Sequence, residues 1–428
     1  MRRPGRGDRD RGQAPGGRVR DDRDPAAAGP AAGGCVTFEQ LYRQEWGQVV
    51  ATLIRVTGDW ELSEECAQEA FAAALERWPR DGVPDRPGAW LTTTARNKAV
   101  DWLRREAVGA AKLKEVAALD HASGQPYDVP DDRLRLMFTC CHPALAMEAR
   151  VALTLRTLAG LSTAQIARAF LVPEPTMSKR LTRAKQKIQH AGIPYRVPPA
   201  HLLPERMPAV LAVLYLLFNE GYSDVVRSSL SSEAIRLARL LVQLMPDEPE
   251  AAGLLALMLL HDARRDTRLD ADGVLVTLED QDRTRWDHSL ITEGENLLEA
   301  ALRRGAPGPY QVQAAIAACH ASARTAADTD WPQITALYGR LKQTPVVALN
   351  RAVAIGMADG PAVGLRLVDD LAAGPLAGYH LLPATRADFL RRLGRFQEAA
   401  TSYREAIALA TTDAERRYLE RRLAEVSA

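Results

Sequence analysis

Basic and polar side chains recur at every third or fourth position across one stretch of the chain. They are Thr176, Lys179, Arg180, Arg183 and Lys187, and this spacing places them on one face of an α-helix. The apolar Met177, Leu181, Ala184 and Ile188 follow the same steps on the other face. Lysine and arginine neutralise phosphates, and arginine can also grip a guanine edge with two hydrogen bonds. The basic face therefore suits a helix in the major groove of DNA; the alternative is an ordinary solvated basic helix.

A second predicted helix precedes this one and completes a helix-turn-helix. Ser162 is placed to cap it, and Gln165 three residues later completes a capping box. Leu171-Val172-Pro173 interrupts the helical pattern, and Pro175 then falls in the first turn of the basic helix, where proline is tolerated. The sequence thus predicts both helices and the turn between them.

An acidic stretch upstream, SEECAQEAFAAALERW, is a candidate protein-binding surface. Its predicted buried stripe consists of Cys66, Ala67, Ala70, Phe71, Ala74 and Leu75. Its N-terminal half carries Glu64, Glu65, Gln68 and Glu69. An exposed acidic patch beside a DNA-binding helix fits a basic protein partner. Alternatively, these carboxylates only favour the positive end of the helix dipole.

The next stretch, DRPGAWLTTTARNKAVDWLRRE, combines aromatic, amide and basic side chains. Its predicted buried face is Leu91, Ala95, Ala99, Trp102 and Leu103, after Pro87 in the first turn. The remaining candidates, Trp90, Arg96, Asn97, Arg104 and Arg105, suit stacking on unpaired bases and clamping their phosphates. The alternative is that Trp90 and Trp102 both belong to the core.

Composition predicts an all-α protein. The 428 residues allow two to three domains, only 6% are aromatic, and alternating β-branched residues are few. The net charge of +1 excludes a basic footprint over the whole protein, so any nucleic-acid contact is confined to patches. Five scattered or adjacent cysteines do not form a disulfide framework, which fits a reducing cytoplasm.

Several segments are predicted to lie outside the helical domains or to link them. Residues 1–34 mix Arg, Asp, Gly and Pro and predict a disordered tail, not a signal peptide. Residues 107–132 have the composition of a linker, and prolines between Pro194 and Pro208 mark a further boundary. The longest apolar runs fall short of the roughly 20 residues that span a bilayer, so no membrane segment is predicted.

The C-terminal part, residues 200–428, carries a repeat signal. It opens with an apolar core helix that should end in a structured turn at Asn219–Tyr222. ADFLRRLGRFQEAATSYREAIALA resembles a tetratricopeptide unit, and Gly360 lies 34 residues before Gly394, the period of that repeat. We expect α-solenoid-like helices from about Ser232 onward. Asp272-Gly273 signals a short β-hairpin.

No catalytic, cofactor or metal site is predicted. Cys140-Cys141-His142 offers at most three ligands, and adjacent cysteines fit one metal poorly, so we interpret the cysteines as buried core residues. An enzyme built on Cys140, His142, His261 or Asp262 lacks the spacing of a nucleophile and base.

The order of these motifs resembles the two halves of an extracytoplasmic-function (sigma-24-like) sigma factor of bacterial RNA polymerase. The resemblance implies that residues 37–106 bind polymerase and recognise the minus-ten element, and that residues 133–192 recognise the minus-thirty-five element. It also implies a subgroup with a C-terminal tetratricopeptide-like extension. Two departures are Leu171 in the turn and Pro173-Glu174-Pro175 at the start of the basic helix.

The same resemblance implies roles for the candidate residues. Glu64, Glu65, Gln68 and Glu69 resemble the surface that docks on the clamp of the polymerase β′ subunit, and the β flap is a second expected partner. The helix of Arg96 and Asn97 resembles the one that opens and reads the minus-ten element. The Lys179, Arg180 and Arg183 face resembles the minus-thirty-five reader.

The expected function is therefore a non-catalytic subunit that gives polymerase its promoter specificity in the cytoplasm. The C-terminal domain is expected to regulate the sigma halves or to bind another protein. A helix-turn-helix repressor or activator with a tetratricopeptide sensor is the other hypothesis, and such a regulator has no use for residues 64–105.

Overall fold

Helices form nearly all the regular structure of the protein. The computed structural model describes residues 38–105, 131–170, 172–223, 228–305, 307–372, 374–376, 378–410 and 412–427. These ranges contain no strand, which confirms the all-α class. The predicted tail 1–34, residues 107–130 of the predicted linker, and Leu171 in the turn lie outside the described residues.

Three helices precede the linker: α1 (Phe38–Thr57), α2 (Trp60–Asp81) and α3 (Pro87–Arg105). The chain divides into two units, Met1–Leu41 and Tyr42–Ala428, and the described part of the first is the start of α1. The Asp59 carboxylate caps α2 by accepting from two backbone N–H groups. Pro87 begins α3, as predicted.

Two side chains of this segment that were predicted to be buried are exposed. Cys66, Ala67, Ala70, Phe71 and Ala74 of α2 are buried, as predicted, but Leu75 is 54% exposed. Leu75 sits at the edge of the buried stripe, roughly 80° around the helix from Ala67. Leu91, Ala95 and Ala99 of α3 are buried and Leu103 is half-buried, whereas Trp102, near the end of the helix, is 38% exposed.

Four helices follow the linker: α4 (Asp132–Cys140), α5 (Met147–Thr157), α6 (Thr163–Ala169) and α7 (Glu174–His190). The Ser162 hydroxyl accepts from the Gln165 N–H while the Gln165 side chain accepts from the Ser162 N–H, so the predicted capping box is confirmed. Pro175 occupies the first turn of α7. Helices α6 and α7 form the predicted helix-turn-helix.

Helix α1 packs directly on the turn between α5 and α6. The Tyr42 hydroxyl donates to Gly160 O at 3.3 Å, and Trp46 Nε1 donates to Arg156 O at 3.2 Å. A Cβ on Gly47 would lie 2.9 Å from Leu158 O, so glycine allows this close approach. The Tyr195 hydroxyl also donates to Ala51 O at 2.8 Å. The helices before and after the linker are therefore docked on one another.

Eleven further helices are described after this point: α8 (Leu203–Ser223), α9 (Ser228–Leu244), α10 (Pro249–Asp262), α11 (His288–Leu302), α12 (Pro309–Ala321), α13 (Trp331–Arg340), α14 (Pro345–Asp359), α15 (Pro361–Leu371), α16 (Leu381–Arg392), α17 (Phe396–Leu409) and α18 (Asp413–Ser427). Short 3₁₀ turns occur at Ala200–Leu202, Arg265–Thr267, Arg283–Arg285 and Ala326–Asp328. Most of these helices pack mainly on their neighbours in the chain, but α12 packs mainly on α10.

Helix α8 is the apolar core helix expected from the sequence, but it is longer than predicted. Asn219–Tyr222 continues the helix, so the predicted turn is wrong there. The Tyr222 ring stacks on Phe218 at 5.3 Å and carries the Arg268 guanidinium 3.8 Å from its centre, which holds the last turn. Among the described helices, α8 with its preceding 3₁₀ turn is long and apolar enough to cross a membrane by length and composition. Val210, Leu214 and Leu217 of this helix are buried inside the protein, so a role as a core helix explains its apolar composition equally well.

Pairs of helices surround the two glycines that carry the repeat signal. Gly360, with φ 104°, separates α14 from α15, and Gly394, with φ 72°, lies between α16 and α17. A Cβ on Gly356 or Gly364 would lie 2.4 or 2.5 Å from Phe389 Cζ, so glycine lets α14 and α15 close beneath that ring. The tetratricopeptide assignment stays a prediction.

The expected β-hairpin does not form as a pair of strands. Leu269 and Leu275 make an isolated antiparallel bridge around a turn at Gly273, φ 72°. Arg417 of α18 donates to Asp272 O at 2.9 Å, and Arg421 donates to Leu275 O at 3.4 Å. Arginines of α18 therefore donate hydrogen bonds to carbonyl oxygens that a regular β-hairpin would pair with backbone N–H groups.

Candidate DNA-binding and polymerase-binding surfaces

Helix α7 separates an apolar face from a basic face, as its sequence predicts. Met177, Leu181, Ala184 and Ile188 are all at most 5% exposed. Thr176, Lys179, Arg183 and Lys187 are exposed, and Arg180 is half-buried with its guanidinium 5.8 Å from the centre of the Phe170 ring. The apolar face fixes the helix on the domain, and the basic face stays open to solvent.

All five predicted DNA-contacting residues of α7 line one cleft. The cleft has a volume of about 350 Å³, and its other wall is the start of α5, with Leu145, Ala146 and Ala149. The wall contains no carboxylate. An open groove lined by four cations and a hydroxyl fits a polyanionic backbone.

Helix α3 presents a second group of candidates. Trp90 is half-buried and meets Trp78 edge-on, with ring centres 5.4 Å apart. Asn97 is exposed, and Arg96 is half-buried. The Arg104 guanidinium is exposed and lies 3.7 Å from the Asp101 carboxylate. Arg105 ends the helix, and its side chain lies outside the described part.

Trp102 is a candidate that sequence reasoning assigned to the core. Its 38% exposure places an accessible indole on α3, close in sequence to Asn97 and Arg104. Exposed aromatic rings are what unpaired bases stack on. Its position two residues before a pair of arginines was the only signal in the sequence.

The acidic surface of α2 is smaller than predicted. Glu65, Gln68 and Glu69 are exposed, and Glu69 pairs with Lys98 at 2.7 Å. Glu65 and Gln68 line a cleft of about 400 Å³ that the helix-turn-helix closes on its other side. Glu64, however, is only 6% exposed, so its prediction as part of an exposed patch is wrong in this arrangement.

Glu64 joins the two halves of the candidate site. Arg156 Nε donates to its Oε2 at 2.9 Å, and Lys185 Nζ of the recognition helix α7 lies 2.8 Å from its Oε1 in an ion pair. The side chains of Arg156 and Lys185 are 14% and 13% exposed. Two cations therefore offset the desolvation of one carboxylate.

Sequence reasoning missed Arg156 and Lys185. Lys185 lies at the edge of the apolar face of α7, next to the buried Ala184. A cation at the edge of a buried stripe signals a carboxylate partner, but nothing local identifies that partner.

The adjacent cysteines are core residues, as predicted. Cys140 and Cys141 are at most 1% exposed, and their thiols lie 3.3 and 3.7 Å from the hydroxyls of Thr157 and Thr154. Burial raises the pKa of the Cys141 thiol to about 12, so the reactive thiolate is disfavoured. No group of three or more potential metal ligands is found within the described ranges.

Comparison with protein families matches three segments of the chain. Residues 41–108 match sigma-70 region 2, residues 135–188 match sigma-70 region 4, and residues 206–302 match a family of unknown function, DUF6596. The first two segments contain α2 with α3 and the helix-turn-helix, respectively.

Curated relatives extend this comparison. An uncharacterised protein, R00370, from Rhizobium meliloti is 44% identical over 397 residues, which is 89% of this chain and 94% of that protein. The ECF RNA polymerase sigma factor SigL of Mycobacterium tuberculosis is 29% identical over 168 residues, 38% of this chain and 92% of SigL. The ECF sigma factor SigK of Mycobacterium bovis is 28% identical over 162 residues, 36% of this chain and 84% of SigK. The chain thus carries segments that match sigma-70 regions 2 and 4, and over these segments it is similar to ECF sigma factors.

The similarity to sigma factors lies in the first half of the chain, whereas the Rhizobium relative matches nearly its full length. No solved structure matches the chain. The presence of region 2 also bears on the alternative of a simple helix-turn-helix regulator, because that hypothesis has no use for α2 and α3.

Proposed function

We propose that this sigma factor binds core RNA polymerase in the cytoplasm and directs initiation at particular promoters, without catalysing a reaction itself. The observation that carries the proposal is the open basic cleft of α7, which holds all five predicted DNA contacts on a helix whose other face is buried. The match of residues 135–188 to sigma-70 region 4 supports a DNA-binding role for the helix-turn-helix that carries this cleft.

In this proposal, the basic face of α7 reads the minus-thirty-five element. Thr176, Lys179, Arg180, Arg183 and Lys187 supply the contacts. Arg183 is exposed near the middle of the face, where a guanidinium can reach a guanine edge, and Lys179 and Lys187 neutralise phosphates. Arg180 is held against Phe170, which orients its guanidinium.

Helix α3 is proposed to engage the opened minus-ten element. Trp90, Arg96, Asn97, Arg104 and Arg105 are the predicted contacts, and we add the exposed Trp102. The rings stack on unpaired bases, and the cations hold the phosphates between them. The edge-on contact with Trp78 keeps Trp90 in a fixed position.

Helix α2 is proposed to dock on the clamp of the β′ subunit through Glu65, Gln68 and Glu69, which are exposed. Glu64 becomes available only when its pairs with Arg156 and Lys185 separate. The β flap is the proposed partner of residues 133–192.

The docked arrangement must open before both promoter elements are contacted. Elements centred near positions minus ten and minus thirty-five are about 25 base pairs apart, or about 85 Å at ~3.4 Å per pair. Helix α7 contacts α2 at Glu64, and α2 contacts α3 at Glu69, only five residues further along. At ~1.5 Å per residue those two contacts are less than about 10 Å apart along α2, so the DNA-reading faces lie far too close together.

The C-terminal residues 200–428 are proposed to form a tetratricopeptide-like regulatory domain that packs on region 4 and keeps the sigma halves in a productive arrangement once they have separated. Arg206 of α8 donates to Phe138 O at 2.9 Å, and Arg236 of α9 donates to Leu158 O at 3.2 Å. Both acceptors belong to the region 4 segment. These contacts support a packing role for the C-terminal helices.

In vitro transcription with purified core polymerase tests the proposal. The full chain should give discrete transcripts from a library of promoter fragments of the encoding organism, and core polymerase alone should not. A chain ending after Gly192 should lose this activity because α8 and α9 no longer support region 4. Absence of promoter-specific transcripts with the full chain would contradict the sigma-factor function. Equal transcription by the truncated chain would contradict only the role of the C-terminal domain.

A further inference from the structure

A cavity of about 520 Å³ lies among the C-terminal helices α8, α10, α12, α13 and α14. This volume is in the range of small-molecule sites in proteins. Neither the sigma-70 matches nor the proposed promoter contacts include any residue of its wall. The cavity therefore calls for an explanation separate from DNA and polymerase binding.

Most of the wall is apolar and aromatic. Trp286, which is 5% exposed, and Ile316, which is 7% exposed, contribute alongside Tyr338 and Leu257. The amide side chains of Gln313 and Asn350 add hydrogen-bonding groups. Such a wall accepts an apolar body with a few polar atoms, which is the usual composition of ligand pockets.

The charge of the wall has one sign. Arg264 and Lys342 line the cavity, and no aspartate or glutamate does, although the whole chain has 54 acidic residues against 55 basic ones. Neither cation has a carboxylate within 4 Å in the described part of the chain. Arg264 instead contacts neutral rings: His261 Nδ1 at 3.2 Å and the Tyr222 ring centre at 5.9 Å. A half-buried guanidinium without an anionic partner favours a bound anion.

Two histidines of the wall are neutral hydrogen-bonding groups. Burial, together with the charge of Arg264, lowers the pKa of His261 to about 3 and that of His320 to about 4. A guanidinium has only donors, so its contact makes His261 Nδ1 the acceptor and leaves the proton on Nε2. The wall therefore offers an N–H donor beside the cations.

We propose that this cavity binds a small organic anion. Its carboxylate or phosphate group pairs with Arg264 and Lys342, and its apolar body packs against Trp286, Ile316 and Tyr338. The limited volume favours a small molecule over a peptide, whose backbone would need more hydrogen-bonding partners than the two amides supply.

Ligand-observed NMR and thermal melting of the full chain test this proposal with three probes of matched shape. Phenylacetate and phenyl phosphate carry the two candidate anionic groups, and phenylacetamide is the uncharged counterpart. Each ionic hydrogen bond discriminates by about tenfold or more. At least one anion should bind and raise Tm, with phenylacetamide about tenfold weaker. Which anion binds better identifies the acidic group.

Matched variants assign the binding to the cavity. Arg264→Gln and Lys342→Gln should each reduce the preference for the anion over phenylacetamide, and Arg303→Gln, with a 70% exposed side chain outside the cavity, should not. Lys342 is exposed at the rim, so its variant keeps the test valid if Arg264→Gln fails to fold.

Three results would overturn the proposal. They are no binding of either anion at millimolar concentration, equal binding of anion and amide, and anion binding that survives Lys342→Gln unchanged. Binding of a peptide with a free C-terminal carboxylate, but of neither small anion, would also overturn it and assign a peptide groove. None of these measurements involves polymerase, so their failure leaves the sigma-factor function standing.

Discussion

Glu64 of α2 and Lys185 of α7 lie 2.8 Å apart, and this pair joins the proposed polymerase-binding helix to the proposed DNA-recognition helix. Arg156 shares the same carboxylate at 2.9 Å. Because all three side chains are at least 86% buried, their separation exposes charges as well as surfaces. We therefore propose this contact as the control point for the opening that promoter binding requires.

Glu64→Gln should destabilise this arrangement. Removing one partner of a buried ion pair leaves the other charges uncompensated and costs about 3–5 kcal/mol. Urea denaturation should show a fall in the free energy of unfolding of that order. Glu65→Gln, one residue away but exposed, is the matched control and should change it by less than about 0.5 kcal/mol. Equal effects of the two substitutions would contradict the role of the buried pair.

Reversing Glu65 and Glu69 to lysine should weaken binding to core polymerase without unfolding the chain. Both side chains are exposed, and the Glu69–Lys98 pair is a surface contact of roughly 0–1 kcal/mol. Co-purification with core enzyme measures the effect. Glu76→Lys, also exposed on α2 but outside the acidic patch, should leave assembly intact. Unchanged assembly of the double variant would rule out this surface.

Arg183→Ala and Lys179→Ala should weaken promoter binding in different ways. Loss of a base-reading arginine costs about 1–3 kcal/mol and relaxes specificity at one position, whereas loss of a phosphate contact is smaller, independent of sequence and sensitive to salt. Binding of holoenzyme to promoter variants at two salt concentrations separates these effects. Gln189→Ala, exposed outside the cleft, is the control. Equal, sequence-independent losses for both would show that Arg183 does not read a base.

The free energy of unfolding of the C-terminal helices should decrease as the pH is lowered below about 6.5. His261 and His320 have folded-state pKa values of about 3 and about 4, below the ordinary value of 6.5. Between these limits the unfolded chain binds protons that the folded rings do not, so each ring lowers the free energy of unfolding by up to about 1.4 kcal/mol per pH unit as pH falls. Above pH 6.5 both rings are neutral in either state. Denaturation at pH 5 and pH 7 measures this, and His261→Gln with His320→Gln should reduce the difference.

Gly356→Ala should destabilise the chain, and Gly339→Ala should not. The new methyl group at position 356 would meet Phe389 Cζ at 2.4 Å, and overpacking of this kind costs about 1–3 kcal/mol. At position 339, inside α13, the methyl group would meet only Arg351 Nη2 at 4.0 Å. Alanine there favours the helix by about 0.5–1 kcal/mol. Thermal melting distinguishes the two, and a stabilised Gly356→Ala would contradict the close packing of α14 and α15.

The sequence alone determined the local features of the site. The capping box of Ser162 and Gln165 and the two faces of α7 follow from contacts within four residues and from the period of the helix. The all-α class likewise followed from composition, because helix propensity acts residue by residue.

Only the tertiary structure decided which polar and apolar residues at the edges of these helices are covered. Glu64 looked like its exposed neighbour Glu65, and its burial depends on Arg156, 92 residues away. Leu75 and Trp102 fit helical stripes but are 54% and 38% exposed, so no helix in the described part of the chain covers them fully. The cavity around Arg264 also draws its wall from five helices and from loops between helices, and no single period in the sequence encodes such a convergence. Helical periodicity fixes the direction of a side chain, whereas its partner is fixed by long-range packing.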